Sequence, residues 1–72
     1  MKITHRLGAN VKKYRGRKKW SQEHLGEVSG LHRTYISGIE RGTRNPTIEV
    51  VETLARSLGV SAADLLAEAT RQ

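Results

Sequence analysis

Cysteine and phenylalanine are absent from these 72 residues, proline occurs once, and the only aromatics of the Phe, Trp and Tyr class are Tyr14, Trp20 and Tyr35. Without cysteine there is neither a disulfide framework nor a thiolate metal cluster, which suits a reducing cytoplasm. No apolar run approaches the ~20 residues that cross a bilayer. The basic N-terminus lacks the apolar stretch of a signal peptide, so neither export nor a membrane partner is expected. His5, His24 and His32 lie far apart and form no ligand cluster, and no serine–histidine–acid set or phosphate-cradling glycine loop is present. Glu49 with Glu52, and Asp64 with Glu68, have the spacing of solvated helix faces. The expectation is therefore no metal, no cofactor and no enzyme activity.

Negative charge is also scarce. Seven acids face thirteen Lys and Arg, for a formal charge of +6 and a pI near 10.3. Residues 1 to 20 hold eight cations and no acid, whereas residues 45 to 72 hold Arg56 and Arg71 against Glu49, Glu52, Asp64 and Glu68. One side of the molecule is thus cationic, as a polyphosphate partner requires, although a charge run can also be a merely solvated face. A chain of 72 residues makes one small domain. It buries only about 60 % of the surface of its unfolded form, so stability on the order of 5 kcal/mol is expected.

What is present reads as five short helices, with no stretch of strand period. Ile3, Leu7, Val11 and Tyr14 recur at helical spacing and predict a buried stripe on a first helix from about Thr4 to Lys18. Gly16 leaves two alternatives, a continuing helix or an early end with Arg17 to Lys19 as a loop. Ser21 is a good N-cap for a second helix whose apolar face is Leu25 and Val28. Gly30 permits a left-handed corner, Leu31 plugs it, and Ile36 and Ile39 form the inner face of a third helix that Gly42 closes. Gly26 lets these two helices approach closely. Asn45-Pro46 forces a non-helical stretch. Thr47 caps a fourth helix with Ile48, Val51, Leu54, Ala55 and Leu58 inward, Gly59 ends it, and Ser61 with Asp64 opens a fifth carrying Leu65, Leu66 and Ala69. The predicted fold is all-α, a compact five-helix bundle over residues 1–72 containing a helix-turn-helix. Its third helix, about 32–41, turns His32, Arg33, Thr34, Ser37 and Arg41 outward, and such a helix fits the DNA major groove.

Several motifs carry a resemblance: Trp20-Ser21-Gln22-Glu23, Leu25-Gly26, Gly30-Leu31, Ile36 through Gly42, Arg44-Asn45-Pro46-Thr47 and Leu58-Gly59-Val60. Over roughly residues 6 to 66 the chain resembles the Xre/Cro-type helix-turn-helix regulators of bacteria and phages. Its stretch Arg33 to Arg41 looks most like the controller proteins of restriction–modification systems, which are dimeric transcriptional switches of this size. Many relatives carry alanine at the position of Gly26, and glycine where this chain has Lys19.

Arg33 is the leading candidate for reading bases, because a guanidinium can pair with guanine O6 and N7, the alternative being a phosphate contact. Thr34 can offer its methyl or its hydroxyl, with His32 and Ser37 as secondary readers. The resemblance places Arg33 and Thr34 at base-contacting positions and implies a phosphate contact for Gln22, beside a helix N-terminus. Arg41, Arg44 and Asn45 are expected along the DNA backbone, with the minor groove within the reach of Arg44. Tyr35 either touches phosphate or packs at the domain edge. Gly38 implies close backbone approach or indirect readout. Relatives often pair residues matching Arg15 and Glu40, which implies an ion pair orienting the third helix rather than two solvated charges.

One such helix reads only a few base pairs, so a homodimer on a palindromic duplex operator is expected. Its interface would lie in residues 50–69: Leu65 and Leu66 are adjacent and cannot both face one core, and Val50 with Leu54 extends the patch. No second domain is seen to take a small-molecule effector. A phage-type repressor or an antitoxin would share these features, and a protein-bridging or RNA-binding adaptor is the alternative of another class.

Overall fold

The computed structural model of the protein describes residues 2–68. Five helices follow in order: α1 (Ile3–Arg17), α2 (Gln22–Ser29), α3 (Arg33–Glu40), α4 (Ile48–Leu58) and α5 (Ala62–Leu66), with no strand among the described residues. Ala69, assigned above to the fifth helix, lies outside the described residues.

Their boundaries come from local chemistry. Ser21, Thr47 and Ser61 use their hydroxyls to accept backbone N–H bonds from His24, Val50 and Asp64, satisfying donors that a helix start leaves free. Asp64 completes a reciprocal box by accepting from the Ser61 N–H, which holds its carboxyl below the ordinary aspartate pKa. Gly30 and Gly59, with φ of 78° and 74°, are the C-caps of α2 and α4, and Gly42, with φ of 78°, turns the chain away just after α3.

Helix α1 runs through Gly16 and ends one residue later, which resolves the two alternatives in favour of continuation. The reason is a closing motif in which the Lys19 N–H bonds the Gly16 carbonyl (2.9 Å) and the Trp20 N–H bonds the Arg15 carbonyl (3.2 Å). This motif requires a left-handed residue, and Lys19 occupies it with φ of 60°. A side chain there is strained, so Lys19→Gly should raise stability by about 0.5–1 kcal/mol and melting by roughly 4–8 °C per kcal/mol. A thermal melt checks this.

Leu7, Val11, Leu25, Ile36, Ile39, Val51, Leu54, Ala55, Leu58 and Leu65 form one buried core, with Tyr14, Trp20 and Leu31 packed on its margin. Three apolar residues assigned inward face outward instead: Ile3 is 52 % exposed, Ile48 is 86 % exposed, and Val28 is also exposed. Each sits at a helix end, where no further helix covers the stripe. Leu54 and Leu65 are fully buried inside their own subunit, so of the four residues expected at a subunit interface only the half-buried Val50 and Leu66 retain surface.

Two features of α1 mount the rest. A Cβ on Gly8 would stand 2.7 Å from the Glu40 carbonyl oxygen and still nearer that of Ile39, so α1 and the end of α3 meet backbone to backbone. On the opposite side of α1, Asn10 is buried and its Nδ2 donates to the Leu65 and Ala67 carbonyls (2.8 Å each), while Arg6 Nε donates to that of Leu66 (2.9 Å). These bonds satisfy carbonyls that the short α5 leaves without intrahelical partners.

Candidate nucleic-acid interface

Helix α3 is held from behind by Ile36 and Ile39, both buried, which leaves Arg33, Thr34 and the capping Arg41 exposed. Gly26 permits the hold: a Cβ there would stand 2.7 Å from the Leu31 carbonyl, so α2 and the corner pack directly. Arg33 and Thr34 are exposed and Ser37 is half-buried, and together with Gln22 from the start of α2 they line one open crevice of about 230 Å³. The structure therefore brings together four of the polar residues singled out in the sequence.

Other residues take different places. His32 is the N-cap of α3, its Nδ1 accepting the Thr34 N–H at 3.1 Å, and it lines a neighbouring hollow with Glu23, Glu27 and Arg33, which borders both. The expected outward helix thus begins at Arg33, with His32 as its cap. Arg41 donates from Nη1 to the Ser37 hydroxyl one turn earlier. Arg44 stands over the half-buried Tyr35 ring, with Cζ 5.5 Å from its centroid, and Asn45 follows it on the exposed loop.

Behind the crevice lies a polar cluster. Arg15 donates from Nε to Glu40 Oε2 (2.7 Å) and from Nη2 to Oε1 (2.9 Å), a fork-on-fork pair, and its Nη1 reaches the Trp20 carbonyl at 2.7 Å. The Glu40 side chain is only 4 % exposed and that of Arg15 16 %. Hydrogen bonding to Glu40 raises the Arg15 pKa further, so the guanidinium stays charged at any working pH. Gln22 joins the cluster by donating from Nε2 to Glu40 Oε1 at 3.0 Å. This bond uses one of the two Nε2 hydrogens and holds the amide beside the backbone N–H groups that the start of α2 leaves free.

Sequence reasoning missed Gly8 and Asn10. A glycine in mid-helix with no turn to make was the available signal for Gly8. Asn10 gave none, because its partners lie more than fifty residues away.

The helix-turn-helix family HTH_3 matches residues 11–65 of this chain. Control protein C.SmaI of Serratia marcescens is 47 % identical over 72 residues, spanning all of this chain and 82 % of that protein. Control protein C.BamHI of Bacillus amyloliquefaciens is 47 % identical over 61 residues, 83 % of this chain and 75 % of the relative. The fold superposes with a TM-score of 0.82 on the restriction–modification controller protein C.Esp1396I, solved as a tetramer in complex with its natural 35 base-pair operator. That match is 40 % identical and covers 90 % of this chain and 86 % of the other.

Proposed function

The chain belongs to the HTH_3 helix-turn-helix family, and from that membership we propose that it is a homodimeric transcriptional regulator of a palindromic duplex operator, the controller of a restriction–modification system. The observation that carries this reading is the crevice of Gln22, Arg33, Thr34 and Ser37 on the uncovered side of α3. Arg33 and Thr34 are exposed, carry donors and a methyl, and are matched to base edges. Ser37 and His32 flank them. Arg41, Asn45 and Tyr35 follow along the phosphates, Arg44 reaches from among them toward the minor groove, and Gln22 presents the start of α2 to another phosphate. All belong to one domain, which works without catalysis or cofactor in the cytoplasm, where the operator is.

For the second subunit we propose an apolar groove beside the interface loop. Ile3, Ile48 and Leu66 line it together with Pro46. An isoleucine as exposed as Ile48 is costly to leave in water, and in a two-fold dimer each such residue is buried twice. Ile48→Asp should therefore weaken self-association about 100-fold while the separated subunit keeps its helical circular-dichroism spectrum. Sedimentation at micromolar concentrations reads this, and an unchanged dimer rejects the groove.

Selection of bound duplexes from a random pool tests the function. The regulator should enrich one two-fold-symmetric sequence and prefer it by at least ~10³ over random DNA. Affinity should fall ~10³–10⁵ between 50 and 200 mM salt if a dimer engages roughly 6–10 phosphates. Enrichment of no duplex, or tighter binding of RNA, would falsify the reading.

A further inference from the structure

Gly38 sits in the middle of α3, where glycine weakens a helix relative to alanine and makes no turn. Its surroundings show what the missing side chain allows. A Cβ at Gly38 would lie 2.7 Å from Arg44 Cγ and 3.2 Å from Arg44 Nε, so the stem of this loop arginine occupies the space. The loop is pinned there, because the Thr43 N–H and hydroxyl both bond the Gly38 carbonyl, at 3.0 and 3.1 Å. The guanidinium continues back along the helix to lie over the face of Tyr35, one turn before Gly38 on the same strip.

We propose that Gly38 is a specificity-determining position that acts through Arg44. The slot it leaves presets the arginine across α3 and against Tyr35, so the guanidinium meets DNA already ordered beside Arg33, Thr34 and Ser37. This rests on the reading of α3 as the recognition helix. An arginine in an exposed loop would otherwise lose most of its rotamer freedom on binding, and ordering it beforehand removes that loss. Gly38 itself touches no base. It is a positioning residue, and the close approach it permits is by a side chain of the same chain.

The test is a double-mutant cycle of Gly38→Ala and Arg44→Ala, read on the selected duplex, its single-base variants and random DNA, with melting followed in parallel. A Cβ at Gly38 meets the middle of an exposed, flexible side chain, so Gly38→Ala should fold and melt no lower than wild type. It should weaken the selected duplex about tenfold in the dimer and flatten discrimination at the same base pairs as Arg44→Ala. In the Arg44→Ala background it should cost nothing more. Tyr35→Leu, which removes the ring beneath the guanidinium, should lose the same discrimination. Additive effects in the cycle, unchanged discrimination, or a lowered melting temperature in Gly38→Ala would each overturn the proposal. Wild-type protein that prefers no duplex would instead sink the recognition helix itself, so the two failures are distinguishable.

Discussion

Replacing Arg15 with alanine should cost about 3–5 kcal/mol, close to the whole expected stability of so small a domain, and abolish operator binding with it. The cost is not mainly the lost attraction. A buried ion pair recovers little beyond the desolvation of its two charges, but removing one partner strands the other. Here the stranded group is Glu40, 4 % exposed, left with only the Gln22 amide as a donor. Arg15 also ties the Trp20 carbonyl, so the junction into α2 loosens at the same time. A circular-dichroism melt and a duplex titration check the outcome, and wild-type values for both would reject it. The paired replacement Arg15→Met with Glu40→Leu separates the two roles. It should regain much of the stability, because apolar groups can fill such a site, while operator affinity stays low, because α3 has lost the group that orients it.

Arg33→Ala should leave the melting curve in place and take away most of the sequence preference. A bidentate arginine–guanine pair is worth about 1–3 kcal/mol of discrimination, and a two-fold dimer makes it twice, so preference for the selected duplex should drop roughly 30-fold to 10⁴-fold. Thr34→Ala added to it should remove more. Arg33 and Thr34 are both exposed, so neither change disturbs the core. Arg41→Ala should instead weaken all duplexes alike and flatten the salt dependence, as loss of a phosphate contact does. Discrimination that survives Arg33→Ala and Thr34→Ala in a folded protein would mean α3 does not read the bases.

Local features were legible in advance because their causes are local. Ser21, Thr47 and Ser61 bond residues three positions on, and Gly30, Gly42 and Gly59 stand where left-handed backbone must follow a helix. Ile36, Ile39 and the Arg15–Glu40 pair were legible too, the first two from spacing and the pair from resemblance. Periodicity identifies which face of a helix is apolar, but not whether the chain has anything left to cover it. Ile3, Val28 and Ile48 fail for that reason. Leu65 and Leu66 posed the same question in one step: one of them had to turn away, and only packing decides that Leu65 goes inward. The role of His32 was hidden because a histidine cap looks like any exposed polar residue, and that of Gly38 because its neighbour Arg44 reaches back from a loop.

The backbone contact at Gly8 and the ion pair at Arg15 grip α3 at two points along one rigid rod, and Ile3 lies at the start of that rod. A reading element bolted to its frame in this way cannot swing to suit a badly spaced target. If subunits join through the Ile3 end, the gap between half-sites is set by protein geometry, and a spacer one base pair too long must be accommodated by twisting or bending the DNA.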